Sequence, residues 1–216
     1  MTPQRFKKIK DVLNKRQPDL NIIMENVHKP HNLAAIIRSC DAVGIGNLHG
    51  ISSNEKKVGT NLKSASGSNH WVHLHIHSSI NEILSDMRKK GFTIYAANTS
   101  ERARDYRSID YTGKTAIILG AELDGVSRRT LKQIDDEIMI PMQGMVSSLN
   151  VSVAAAVILF EAQRQRKETG LYKKCRLDKN TYKKLLFELS YPDVAIHYKK
   201  IGQLYPDLDE EGYIIK

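Results

Sequence analysis

Short apolar runs alternate with amphipathic stretches along most of the chain. "NIIMENV" and "TAIILG" are apolar at consecutive positions, as strands buried on both faces require, whereas "WVHLHIH" alternates and predicts a half-buried strand. "IGNLHGIS", "FTIYAAN" and "EIMI" complete the predicted strands. Between them, "HNLAAIIRSCDAVG" predicts a helix with Asn32 as its cap and Gly44 as its stop. "SSINEILSDMRKKG" predicts a second, with a capping box from Ser79 to Glu82 and a terminal Gly91. "SRRTLKQID" reads as a third, and "VSVAAAVILFEAQRQR", led in by "SSLN", as a fourth. The stretch "SSNEKKVGTNLKSASGSNH" reads as a long polar loop.

Strand and helix alternate in this way over residues 18–170, which predicts an α/β domain: a mostly parallel sheet with helices on both faces. An extension stands at each end. Residues 1–17 open with Thr2-Pro3, a cap and a first-turn proline, ahead of Phe6, Ile9, Val12 and Leu13 at helical spacing. Arg5, Lys7, Lys8, Lys10, Lys15 and Arg16 stand between them, a strongly basic outer face. Residues 171–216 are rich in Lys and Tyr, with one clear helix around Leu185 to Leu189.

Composition narrows the partner. Among 216 residues, 33 Lys and Arg against 24 Asp and Glu leave a net charge of +9, an electrostatic argument for a polyanion such as nucleic acid. The two cysteines, Cys40 and Cys175, read as free thiols of a reducing compartment. No run reaches the length of a membrane span, and the first residues lack the apolar core of a signal peptide, so a cytoplasmic protein is expected.

In open parallel sheets, ligands bind beyond the carboxyl ends of strands. "AANTS", "LGAELDGVS" and "PMQGMVSSLN" occupy such places. None fits the dinucleotide or P-loop fingerprint. Gly120, Gly125 and Gly144 would let backbone amides approach a small ligand; each loop alone reads rather as a strand-to-helix turn, and three at one edge of the sheet weaken that reading. His73, His75 and His77 share one strand face, but no Cys or carboxylate completes a zinc set, and a solvent-facing stripe is the preferred reading, with no metal. Ser147 and Ser148 lack the G-x-S-x-G setting of a hydrolase nucleophile.

Three of these segments, "HNLAAIIRSCDAVG", "ILGAELDGVS" and "IPMQGMVSSLNVSVAAAVILFEAQRQR", resemble the sequence motifs of the SPOUT superfamily of RNA methyltransferases, in the branch that methylates the guanosine 2′-hydroxyl of tRNA. The resemblance extends over "RQPDL" and "VHKPHN" and covers nearly the whole chain. It implies an S-adenosylmethionine-dependent homodimer with a deep C-terminal trefoil knot, at about residues 93–166 here. Its cofactor positions fall on Ala97, Asn98, Leu119, Gly120, Ile140 and Leu149, and its catalytic positions on Asn32, Arg38, Glu122, Ser148 and Asn150. RNA contact is expected from Arg5, Lys8, Arg16, His31, Arg164 and Arg166.

Each catalytic position has a plainer reading. Asn32 and Asn150 are good helix caps, and Glu122 fits a surface carboxylate. Arg38 follows "AAII" in an apolar helix, so its guanidinium needs either a buried carboxylate or an incoming phosphate. In the family it is held to act as the base; a phosphate clamp that stabilises the developing alkoxide strains the chemistry of arginine less. The implied reaction is methylation of guanosine 18 in the tRNA D-loop. Another tRNA or rRNA ribose, or a non-catalytic RNA-binding protein of the same fold, are the alternatives.

Overall fold

A computed structural model describes residues 1–51 and 71–215; the expected polar loop, residues 52–70, lies outside the described residues. The chain divides into two units, Pro18–Leu171 and Met1–Gln17 with Tyr172–Lys216.

In the larger unit, β1 (Leu20–Glu25), β2 (Asn47–Ile51), β3 (His73–His77), β4 (Thr93–Ala97), β5 (Arg104–Asp105), β6 (Thr115–Leu119) and β7 (Asp136–Met139) form one seven-stranded sheet. Its order is β3-β2-β1-β6-β4-β7-β5, with all pairings parallel. The helices are α2 (Pro30–Ala42), α3 (Ile80–Lys89), α4 (Arg128–Leu131) and α5 (Val151–Glu168). Successive strand residues point to opposite faces. Ile22, Met24, Ile117 and Leu119 therefore join Ile36, Ile37, Ile158 and Leu159 of α2 and α5 in one core. Ile23, Ile94, Ala116 and Ile118 join Ile83, Leu84 and Met87 of α3 in the other. Each Ile, Leu or Met among these contributes about 1.5–3 kcal/mol by leaving water, so the apolar runs dictate a sheet covered on both sides.

Local starts and stops differ from expectation in four places. Helix α2 begins at Pro30, whose fixed φ suits a first turn, so Asn32 lies inside the helix and Lys29 holds the cap position without a side-chain bond. Ser79 is the cap residue of α3, yet its side chain makes no capping bond, and the expected Ser79–Glu82 box does not form. The helix expected in "SRRTLKQID" is only the four residues of α4, begun by Ser127 Oγ accepting from Thr130 N. β5 and the 3-10 turn Tyr106–Ser108 carried no periodic signal because two or three residues are too few to show one. Gly44 and Gly91, at φ +86° and +78°, stop their helices as expected.

The smaller unit holds α1 (Pro3–Asn14), α6 (Lys179–Ser190) and α7 (Pro192–Lys200), one helix more than the tail pattern suggested. Thr2 caps α1 by accepting from Arg5 N, and Phe6, Ile9 and Leu13 are buried. Phe187 stacks on Tyr205, with Tyr191 and Tyr198 around it. Cys40 and Cys175 are free thiols, and burial pushes the Cys40 thiol far above its ordinary value. No helix of the described residues is long and apolar enough to cross a membrane.

Candidate active site

β6, β4 and β7 are neighbours in register, Ala97 pairing with Leu119 on one side and Ile138 on the other. Parallel strands place their carboxyl ends at one edge, so the loops that follow them must meet there. They enclose a cavity of about 530 Å³. Ala97, Asn98, Leu119, Gly120, Ile140 and Leu149 all line it, as do Glu122, Ser148 and Asn150. Val151, Ala154 and Ile158 of α5 complete the lining, so "SSLN" contributes both to the cavity and, through Asn150, to the cap of the helix beneath it.

Gly120 is fixed by a close approach. A Cβ there would lie 2.0 Å from the carbonyl carbon of Gly125. The turn closes on itself through Ala121 N to Gly125 O at 3.0 Å and Gly125 N to Ala121 O at 2.9 Å, with Gly125 at φ +64°. Any side chain at position 120 must force this wall apart.

A short polar chain runs from the cavity into α2. Asn32, 1 % exposed, donates from Nδ2 to Glu122 Oε1 at 2.7 Å and accepts at Oδ1 from Asn150 Nδ2 at 3.1 Å. Asn150 Oδ1 in turn accepts from Ser152 N at 2.8 Å. One Asn thus serves as cap and site residue together, whereas the other is no cap at all. Burial works against ionisation of Glu122, but the Asn32 bond, the backbone amides of Glu122 and Lys29 and the Lys29 charge hold its carboxyl below the ordinary range. At neutral pH it is an anion poised to accept a hydrogen bond.

Arg38 stands apart from this group. It is exposed on α2, does not line the cavity, and has no hydrogen bond or ion pair among the described residues. No carboxylate among the described residues pairs with it, and the residue is exposed rather than buried. Two of the expected RNA contacts also need correction. Arg166 is 0 % exposed, its Nη1 2.7 Å from Asp19 Oδ1, its Nε donating to Tyr111 O at 2.8 Å and its Nη2 to Gly113 O at 2.6 Å. Arg16 is 3 % exposed. Neither presents its charge to a solvent-borne polyanion. Arg5, Lys8 and His31 are exposed, while Arg164 is half exposed and paired with Glu161 and Glu168 at 2.8 and 2.7 Å.

The histidine stripe is engaged within the sheet. His49 Nδ1 lies 2.9 Å from His77 Nε2, and His75 Nε2 lies 3.0 Å from Asn47 Oδ1. Burial, then the neighbouring imidazoles, pull His49 down to about 4. Among the described residues no group of three His, Cys, Asp or Glu is placed to hold a metal. Sequence reading missed Glu137, a buried carboxylate bonded to Asn98 and Ser100; at the start of "EIMI" it looks like an ordinary polar strand end.

Fold and cleft together define an α/β protein that holds a small organic ligand beyond the carboxyl edge of a parallel sheet. Residues 19–160 match the SpoU rRNA methylase family and residues 164–216 its C-terminal region, and the chain belongs to this family. It is 51 % identical over 185 residues to the tRNA (guanosine(18)-2′-O)-methyltransferase of Thermus thermophilus, covering 86 % of this chain and 95 % of that one. The crystal structure of the A. aeolicus TrmH/SpoU tRNA modifying enzyme superposes with a TM-score of 0.82 at 40 % identity, over 88 % of this chain and 97 % of that one. The SpoU methyltransferase AviRb from Streptomyces viridochromogenes, solved in complex with the cofactor AdoMet, gives a TM-score of 0.62 at 27 % identity, over 72 % and 62 %.

Proposed function

We propose that this chain transfers a methyl group from S-adenosylmethionine to the ribose 2′-hydroxyl of guanosine 18 in tRNA. The observation that carries the reading is one cleft in which glycine turns and apolar strand ends, fit for a nucleoside-sized ligand, border the polar chain Asn32–Glu122–Asn150. When bound, the sulfonium supplies an electrophilic methyl group; a ribose hydroxyl is a weak nucleophile, so alignment and proton removal fall to the protein. Ala97, Asn98, Leu119, Gly120, Ile140 and Leu149 wall the cofactor. Anionic Glu122, oriented by Asn32, accepts a hydrogen bond from substrate, with Ser148 and Asn150 beside it. Arg38, with its planar guanidinium fork, grips the phosphate next to the reacting ribose and stabilises the developing alkoxide, the proton leaving through that phosphate or water as the S–CH3 bond breaks and S-adenosylhomocysteine departs.

Arg38 does not line the cavity of its own chain, which favours a site completed by a second copy. The exposed apolar residues agree: Val153 and Phe160, seven apart on α5, share one face at 47 % and 48 % exposure, and Leu123, Met145 and Val146 are exposed in the cleft loops. The working form is therefore a homodimer. Its cytoplasmic substrate, tRNA, is drawn by the basic face of α1. Residues 93–166 form a deep trefoil knot in this reading; β7 enters the sheet between β4 and β5, two strands already joined by a short turn, as threading would require.

Ribosomal RNA is the competing substrate. Methyl-labelled cofactor offered with unmodified tRNA or with protein-free rRNA separates them. Label in tRNA is expected; label in rRNA alone, or in neither, contradicts the proposal.

A further inference from the structure

β7 carries an acid that solvent does not reach. Glu137 pairs with Ala96 across the β4 register, and its side chain is 2 % exposed. Its carboxylate gathers three side chains from one short segment. Asn98 Nδ2 and Ser100 Oγ donate to Oε2 at 2.6 and 2.7 Å, and Arg102 donates to Oε1. Burial opposes ionisation, but these donors and the charge of Arg102 hold the carboxyl below the ordinary glutamate range. A buried anion persists only where its oxygens are satisfied, so Asn98 and Ser100, with the more exposed Arg102, are held to it.

What the segment does gives this constraint a purpose. Residues 98–102 leave β4, and Ala97, Asn98 and Thr99 at its start wall the cleft. Its backbone has few ties of its own: Asn98 N to Ile138 O at 3.0 Å and Ala103 N to Ser100 O at 3.1 Å. The opposite side of Asn98 faces the glycine turn, its Oδ1 3.7 Å from where a Cβ of Gly125 would stand. None of the three donors belongs to either apolar core.

We infer that Glu137 is a positioning residue, which by anchoring Asn98, Ser100 and Arg102 holds the β4–β5 turn in the shape that S-adenosylmethionine binds. The inference rests on the methyltransferase reading of the cleft.

Calorimetric titration of the full-length chain with S-adenosylmethionine, without RNA, tests it. Glu137→Gln offers one acceptor oxygen in place of two and turns an NH2 group toward donors, so cofactor affinity should fall more than about tenfold. Affinity for tRNA and the far-ultraviolet circular dichroism should match wild type. Ser100→Ala removes one donor and should weaken the cofactor by roughly threefold or more. A purely structural carboxylate would lower the melting temperature and leave cofactor affinity of the folded protein untouched. Glu137→Gln binding S-adenosylmethionine within about twofold of wild type overturns the inference. If Glu137→Gln does not fold, an unchanged affinity in Ser100→Ala overturns it instead. Wild-type protein that binds no S-adenosylmethionine removes the methyltransferase reading itself, a different result from equal binding by wild type and variant.

Discussion

Arg166→Met separates a structural cation from an RNA-binding one. The guanidinium is 0 % exposed and the Asp19 side chain 11 %, with 2.7 Å between Nη1 and Oδ1. Further bonds run to the carbonyls of Tyr111 at 2.8 Å, Gly113 at 2.6 Å and Asp19 at 3.3 Å. Methionine keeps much of the volume and none of the donors, so the Asp19 carboxylate loses the Arg166 charge inside the fold. Breaking a buried pair from one side costs about 3–5 kcal/mol. For a chain of this size each kcal/mol moves the melting temperature by about 2–4 °C, which places the fall at about 6–20 °C. Thermal circular dichroism reads this directly, and Asp19→Asn in the same chain should recover part of it, because the two changes share one interaction. The salt dependence of tRNA binding is the second readout. Arg166→Met should leave the logarithmic slope unchanged, whereas Arg5→Ala and Lys8→Ala should each reduce it by about one unit where they contact phosphate. A variant that melts like wild type and loses a unit of slope would refute the buried placement of Arg166.

Arg38→Ala should behave in the opposite way. With no partner among the described residues to lose, it should stay within about 0.5 kcal/mol of wild-type stability, yet lose roughly 2.7–4 kcal/mol of transition-state stabilisation in single-turnover methyl transfer. Arg38→Lys should recover little, since an ammonium cannot reproduce the planar fork; rates within about tenfold of wild type for the alanine variant would show that another residue does this work. Gly120→Ala places a Cβ 2.0 Å from Gly125 C. It should destabilise by about 1–3 kcal/mol and weaken S-adenosylmethionine binding in calorimetry, and normal binding would mean that the turn yields freely. Asn32→Ala removes the largest of the influences that lower Glu122, so its carboxyl should rise from the wild-type position, with the backbone amides and the Lys29 charge still opposing burial. A depressed folded value stabilises above the unfolded value of about 4.3 and is lost as pH falls through the folded one, so the variant should lose acid stability at a higher pH. Carboxyl-detected NMR titration of Glu122 in both proteins checks the direction; no upward shift contradicts the Asn32 bond.

The parts legible in the sequence share one physical basis. Ile117, Ile118 and Leu119 in succession, or Ile22, Ile23 and Met24, can be satisfied only by burial on both faces, and that fixes strands, layers and parallel sense. With the strands placed, the cleft follows, because the carboxyl ends of neighbouring parallel strands share an edge; the loop residues named from their motifs meet there. What stayed illegible depends on distance through space. Nothing in "RQR" tells Arg166 from Arg164: one folds back onto Asp19, 147 residues away, and the other stays in solvent with Glu161 and Glu168. Asn32 and Asn150 look alike as caps, yet Pro30 starts α2 early and frees Asn32 for Glu122, 90 residues away. Glu137 gave no signal at all, since its three donors come from a turn without periodicity.

The atom that receives the methyl group decides the assignment. Full-length protein, unmodified tRNA transcript and methyl-labelled S-adenosylmethionine, followed by nuclease digestion and mass mapping, locate it to a single nucleotide. The cleft and its neighbours predict one product, 2′-O-methylguanosine at position 18, with no label in a transcript whose guanosine 18 carries a 2′-deoxyribose. Label on a base, at a different ribose, or persisting in the deoxy transcript would contradict it.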